Sequence, residues 1–157
     1  MEVVQVPGCV ADKEPAITCI VRIDWGLGKV GYAPVPLQRQ GTQWEAPLLS
    51  TLLRDPVGPR VPAPTAAQAQ AAARQFAQAQ LAQGTTDDEL ELMASHLEVT
   101  AVGDDCKVDR DDGSVACHTE FRVPVAKDTP EQRLFDKRAH FYLEGYDWRF
   151  GRPLPAE

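Results

Sequence analysis

The stretch CKVDRDDGSVACHTEFRVPV, Cys106 to Val125, decides the fold. Its centre, Arg110-Asp111-Asp112-Gly113, is a turn sequence: aspartates bond their own backbone and glycine accepts positive φ. Its second half alternates, with Val115, Cys117, Thr119, Phe121 and Val123 on one side and His118, Glu120 and Arg122 on the other. That is the period of a half-buried strand. Opposite residues of an antiparallel hairpin share a constant sum of positions. A loop of Arg110 to Gly113, closed by Asp109 and Ser114, therefore sets Cys106 opposite Cys117. Opposite Cβ atoms lie about 4.5–5.5 Å apart. A disulfide asks for about 3.8 Å, so a non-hydrogen-bonded pair suits it.

The same arithmetic applies near the start of the chain. Lys13-Glu14-Pro15 is turn-like, and a loop centred on Glu14 sets Cys9 opposite Cys19. Neither pair has the close spacing of structural zinc ligands. Two hairpin disulfides, each worth about 2–3 kcal/mol from so short a loop, imply an oxidising compartment, hence a periplasmic or otherwise extracytoplasmic protein. Four free buried thiols in a cytosolic protein are the competing reading. Met1 to Gly8 has neither the basic start nor the apolar run of a signal peptide. Val6-Pro7-Gly8-Cys9 resembles the end of a lipoprotein signal, but the lead before it is too short. An exported chain would thus be a mature form headed by Met1. No apolar run approaches the roughly 20 residues of a membrane helix.

Outward from the cysteines, Ile17, Cys19, Val21, Ile23 and Trp25 alternate with Thr18, Arg22 and Asp24, a half-buried strand. Gly26-Leu27-Gly28 is a turn. Val30 to Leu37 is a second strand, confined to an edge or bulge by Pro34 and Pro36. Leu48 to Arg54, after Pro47, reads as a short helix, and proline-rich Asp55 to Pro64 as a stiff connector. Thr65 and Gln68 make a capping box for a helix that ends at Gly84. Phe76 and Leu81 are its expected anchors, and Ala69, Ala72 and Ala73 allow close approach. A second box, Thr86 with Glu89, opens a shorter helix with Leu90, Met93 and Leu97 on its apolar face. A strand follows over Leu97 to Val102. After Val115 to Val125 come a loop or helical turn at Asp128 to Arg133, a strand at Arg138 to Tyr146, and Trp148 to Phe150. The expected class is α+β: two helices on a twisted antiparallel sheet, with an N-terminal disulfide-bearing β segment. The boundaries are residues 1–54, connector 55–64, and 65–157, the two larger parts able to form one compact unit.

The two ends of the chain match in order. Cys9, Cys19, Gly41-Thr42-Gln43-Trp44 and Pro47 parallel Cys106, Cys117, Gly145-Tyr146-Asp147-Trp148 and Pro153. Duplication explains this, and so does the repetitive chemistry of hairpins. The helix-then-strands order from Thr65 to Pro153, ending in Tyr146-Asp147-Trp148-Arg149-Phe150, resembles exported domains of the NTF2-like or cystatin-like superfamily. The resemblance implies a role among ligand pockets, inhibitors and secretion-system parts; function drawn from it is analogy.

The chain has 157 residues and a net charge of -7. It lacks the basic cluster of a nucleic-acid binder or of a protein held to anionic lipid. Such a charge serves solubility, and its sign favours a basic protein partner. His118-Thr119-Glu120 matches the H-x-E of zinc deaminases without their P-C-x-x-C. Asp104-Asp105 with Asp109 to Asp112 fails as a calcium loop, because Val108 and Arg110 occupy ligand places. His96, His118 and His140 could serve as bases, but Ser50, Ser95 and Ser114 lack an elbow motif. There is no phosphate loop or dinucleotide fingerprint. No cofactor or metal is expected, and the chain reads as a binding module rather than an enzyme. The expected setting is a bacterial cell envelope, as an inhibitor or immunity protein against a secreted toxin or as a secretion-system component. Trp25, Asp109, Asp111 and Asp112 are the candidate partner-binding residues. The alternative is an NTF2-like small-molecule binder or enzyme drawing on Tyr142, Tyr146 and Asp147. A deep apolar pocket would favour that alternative; a filled core with an exposed groove or edge favours the binding module.

Non-reducing peptide mapping of protein made under oxidising conditions is expected to link Cys9 to Cys19 and Cys106 to Cys117. Links between the two pairs, or four free thiols, would defeat the hairpin argument.

Overall fold

A computed structural model describes residues 2–13, 16–45 and 61–154. β1 (Glu2–Lys13), β2 (Ala16–Asp24), β3 (Val30–Gln40) and β4 (Gln43–Glu45) form one antiparallel sheet in that order. Two helices follow, α1 (Ala66–Ala82) and α2 (Asp88–His96). β5 (Glu98–Val102), β6 (Lys107–Val108), β7 (Val115–Pro124), β8 (Gln132–Glu144) and β9 (Asp147–Phe150) form a second sheet, ordered β5-β7-β8-β9, with β6 also pairing β7. The fold is α+β, and the N-terminal segment makes a sheet of its own. Glu14-Pro15, the Leu48 to Arg54 helix and the first part of the connector, 55–60, lie outside the described residues. The connector's end does not: Val61 and Ala63 pack on the main core, and Pro62 and Pro64 are buried.

Both cysteine pairs sit as the hairpin sums require. Cys9 is opposite Cys19 in the β1–β2 register, and the two are bonded at 2.06 Å. Lys107 faces Ala116, which leaves Cys106 beside Cys117, bonded at 2.07 Å. The likeness of the two ends extends to register. Cys19 pairs with Val35 and Cys117 with Ala139. Five residues on from each partner come Gln40 and Glu144, then two-residue turns led by Gly41 and Gly145. Trp44 then faces Arg39, and Trp148 faces Leu143. The copies differ in hairpin length, Trp25–Lys29 closing one and Val125–Glu131 the other. The side chain of Trp44 lies outside the described residues.

The core forms where α1 meets the second sheet. The capping box is present: Gln68 N–H donates to Thr65 Oγ1 at 3.2 Å and Thr65 N–H to Gln68 Oε1 at 2.9 Å. The buried face of α1 is made of alanine alone, Ala69, Ala72, Ala73 and Ala77. Phe76 and Leu81, the expected anchors, are displaced from it: Leu81 is half-buried, and Phe76 is exposed with its ring against Phe150 at 5.3 Å. An alanine stripe lets the helix come close, so the bulk comes from Leu97, Phe121, Phe141 and Trp148 opposite. α2 starts one residue later than the sequence implies. Asp87, not Thr86, is the cap, its Oδ1 accepting from Glu89 N–H at 2.9 Å. Asp caps as well as Thr and adds charge favourable to the helix N-terminus.

β7 buries the face its alternation predicts: Val115, Cys117, Thr119, Phe121 and Val123. Its length forces β8 to begin at Gln132, six residues before the expected strand, because Pro124 already pairs with Gln132. Charged Arg133, Asp136 and Lys137 hid that start. β2 is not half-buried. Cys19, Val21 and Ile23 form a small cluster on one face, and Ile20 enters the main core from the other. On β3 the even positions face away from β2, as the Tyr32 N–H shows by donating to Arg110 O at 2.9 Å. Pro34 and Pro36 therefore remove donors from the stretch that β4 leaves open, which blunts the edge.

Besides the Tyr32–Arg110 bond, the two sheets meet in a close backbone crossing. Gly145 N–H donates to Pro7 O at 2.9 Å, and Cys9 N–H to Gly145 O at 3.0 Å. Gly8 lies between them, and a Cβ there would collide with Gly145 O and, at 2.6 Å, with Leu143 Cβ. No helix among the described residues is long and apolar enough to cross a membrane. Gly8→Ala should cost about 1–3 kcal/mol, the usual range for overpacking, read as a lower urea midpoint at unchanged slope. A midpoint equal to wild type would mean that the sheets do not cross this closely.

Candidate functional site: an apolar hairpin tip

β2 and β3 separate after the Asp24–Val30 pair, leaving Trp25–Lys29 as a loop. It is closed by Trp25 N–H to Lys29 O at 2.8 Å, Lys29 N–H to Gly26 O at 3.1 Å and Gly26 N–H to Asp24 Oδ1 at 2.8 Å. Gly26, Leu27 and Gly28 have φ of 90°, 57° and 75°. Glycine adopts that region freely, but a side-chain residue pays about 1–2 kcal/mol there. Leu27 is also fully exposed, at 101%, so no packing offsets the strain. Trp25 beside it is 43% exposed, and Val3, Val4, Val6 and Val30 on the adjoining strands are exposed too. Glu2 pairs with Asp24 and Val3 with Ile23, which sets the start of β1 next to the tip. Exposed apolar residues thus gather toward this end of the first sheet, and an exposed apolar patch is a usual mark of a contact surface.

The acidic hairpin is differently disposed. Arg152 Nη1 donates to Asp109 Oδ2 at 2.9 Å and to Asp112 Oδ2 at 2.6 Å. Asp109 Oδ1 accepts from Asp111 N–H and Asp112 Oδ1 from Ser114 N–H, each at 2.8 Å. Asp111 alone of the three is exposed, while Asp109 and Asp112 are half-buried. Beside this clamp, fully buried Ser114 places Oγ 3.2 Å from His140 Nδ1, and His140 Nε2 lies 3.3 Å from Arg152 Nη2. Guanidinium nitrogens only donate, so Nε2 is the acceptor and Nδ1 carries the proton. His140 then donates to Ser114, which is opposite to what base activation of a serine needs. The pair is a structural one.

The other sequence candidates scatter. His118 Nε2 is paired with Asp136 Oδ1 at 2.6 Å on the solvent face, where Arg122 bonds Glu98. Asp105 is engaged by the His118 N–H and by Arg138, both at 3.2 Å. Tyr142 borders a small cleft between the sheets with Tyr32, whereas Tyr146 and Asp147 lie along α1, so they share no pocket. Instead, α2 and the β7–β8 loop border an open groove of about 610 Å³. Its apolar lining includes Leu81, Leu92, Val123 and Val125; its charged lining includes Asp88, Glu89, Glu91 and Arg133. Arg133 bonds Glu89 at 2.6 Å.

Sequence reasoning found Trp25 but passed over Leu27, Arg152 and the groove. Leu27 had a readable signal, since a hairpin tip favours Gly, Asn or Asp and an apolar residue there is unexplained by folding. Arg152 had none, because its partners lie about forty residues away.

The clamp makes stability depend on pH. Hydrogen bonds from Arg152 and from the Asp111 N–H hold the Asp109 carboxyl below its ordinary range. Burial pushes Asp112 up, but hydrogen bonds from Ser114 and Arg152 outweigh it, and its net shift is also downward. Depressed carboxyls contribute stability that is complete above the unfolded value near 3.9 and lost as pH falls through the folded values. His140 is lowered by burial and then by Arg152. The unfolded chain therefore binds its proton first, and stability begins to fall below about pH 6.5. Arg152→Ala should lower the urea midpoint at neutral pH, with the gap to wild type closing as pH falls below about 3.9 and through the lowered folded values. His140→Gln should flatten the slope on the acid side of about pH 6.5. A gap unchanged from neutral to acid pH would show that the aspartates do not carry it.

No family model, curated protein or solved structure matches the chain, so the NTF2-like or cystatin-like resemblance rests on element order and the Tyr146–Phe150 stretch alone.

Proposed function

We propose that the chain is an extracytoplasmic protein-binding module whose contact surface is the apolar end of the first sheet. The carrying observation is Leu27, fully exposed in a left-handed conformation that Asn or Gly would occupy at less cost. Strain kept at an exposed apolar residue is accounted for by something outside the fold. Trp25 supports it as the residue type most common among binding hot spots. The two disulfides favour an oxidising compartment. A cell-envelope role, as an inhibitor or as a secretion-system component, accords with these features. The core between α1 and the second sheet is filled by Leu97, Val115 and Phe141, all fully buried, which favours a surface interaction over an enclosed ligand. The clamp spends Asp109 and Asp112 on Arg152, so a basic partner would meet Asp111 and leave those two in place.

Leu27→Asn separates this reading from its rivals. It should raise the stability of the isolated protein by about 1 kcal/mol by relieving the backbone. It should also weaken a purified partner, first captured from an envelope extract, by at least about tenfold, or 1.4 kcal/mol. Loss of stability would refute the strain argument. A partner that binds both proteins equally would move the contact surface elsewhere.

A further inference from the structure

Among the described residues, one buried side-chain polar atom has no hydrogen-bond partner, the indole Nε1 of Trp148. Trp148 is 6% exposed, and an indole nitrogen only donates. A donor buried without an acceptor has given up water for nothing, so it calls for a physical reason. Its surroundings supply one. Trp148 lies on β9, the outermost strand of the second sheet. There it borders an open cleft of about 290 Å³ between α1 and β9. Gln68 and Gln75 line the cleft from the helix; Tyr146, Asp147 and Arg149 line it from the strand and its turn.

Arg149 is set apart from the other arginines near this sheet. Arg122, Arg133, Arg138 and Arg152 each bond a carboxylate directly, none at more than 3.2 Å. Arg149 Nη1 instead bonds the neutral Gln75 Oε1 at 2.6 Å, and Asp147 Oδ2 stands off at 4.0 Å from Nη2. Asp147 and Arg149 are the charged residues of the cleft lining. The aspartate side chain is 76% exposed and the arginine 30%, so the positive charge is the more enclosed of the two. Gln68 spends its Oε1 on the Thr65 N–H. What the cleft offers a ligand is therefore mostly donors: an indole N–H, a guanidinium and two amide groups.

We propose that the α1–β9 cleft is a binding site for a carboxylate, one oxygen accepting from Trp148 Nε1–H and the other from the Arg149 guanidinium. The Gln75 oxygen holds the place that a carboxylate takes, and a carboxylate binds the guanidinium fork more strongly than a neutral amide does. Asp147 close by disfavours a doubly charged phosphate there. The ring of Tyr146, 74% exposed, gives the body of the ligand an aromatic face. The carboxylate belongs either to a small acid or to the C-terminus of another chain, since the outer flank of β9 is open to both. The site belongs to the second sheet and does not involve the Leu27 tip.

Proton–nitrogen correlation NMR of the full, isotope-labelled chain reads the indole N–H of Trp148 directly, with Trp25→Phe and Trp44→Phe removing the other two indole signals. N-acetyl-phenylalanine at neutral pH should move the Trp148 signal downfield to saturation, with a Kd of about 1 mM or tighter. Its uncharged amide should leave the signal in place. Arg149→Gln should weaken binding at least about tenfold. Arg149→Lys keeps the charge without the fork and should fall between the two. An acetylated tetrapeptide ending in phenylalanine tells the sources apart. Binding about tenfold tighter than the single residue, with β9 amide signals moving too, marks a chain terminus; equal or weaker binding marks a small acid. A Trp148 signal unmoved by about 50 mM acid, an amide that moves it equally, or Arg149→Gln binding as tightly as wild type would overturn the proposal.

Discussion

The backbone of Pro7, Gly8 and Cys9 runs hard against Gly145, and the arrangement of the molecule follows from that contact. Two hydrogen bonds and a missing Cβ fix where the first sheet lies on the second. From there Ile20 reaches the core under α1, and the ring of Tyr32 covers Gly113. The β2–β3 hairpin is then left pointing past the acidic turn into solvent. A side chain at position 8 would push against this placement, while the Tyr32–Arg110 bond and the packing of Ile20 hold the first sheet at other points.

Much of the fold could be read in the chain because it depends on local chemistry. The alternation of Val115 to Val123, the Thr65–Gln68 cap and the cysteine sums all concern residues close in sequence, and each has its expected place. What could not be read depends on distant neighbours. The anchors of α1 fail because helix bulk was judged without knowing how closely the sheet approaches an alanine stripe. β2 reads as half-buried because its pattern cannot reveal a second sheet behind Ile20 and Thr18. The start of β8 is charged, and only the length of its partner strand makes it a strand. The tip was half legible: Trp25 stood out beside a turn, while Leu27 passed as turn filler until its φ and exposure were known.

The charges follow a related logic. Several acidic residues that stood out in the sequence are occupied within the fold, Asp105 by Arg138, Asp109 and Asp112 by Arg152, and Glu89 by Arg133, while Asp104 and Asp111 are exposed. The more exposed pairs among them, Asp105–Arg138 and Glu89–Arg133, add little stability. What stands apart from these pairs is the apolar tip, with Leu27 fully exposed at positive φ. The acidic balance that caught attention in the composition is thus in good part answered within the fold.

The disulfides also bear on how the molecule would carry tension. Each joins neighbouring strands of one hairpin, and neither joins the two sheets. Drawn from Glu2, β1 could peel from β2 only as far as Cys9. The chain between Cys9 and Cys19, and between Cys106 and Cys117, would contribute nothing to extension while oxidised. The junction between the sheets, held by hydrogen bonds at Gly8 and Tyr32 and by the packing of Ile20, has no covalent link and would part before either locked hairpin opened. Oxidised, the molecule is two inextensible clasps joined by a yielding seam, and reduction would turn those clasps into slack.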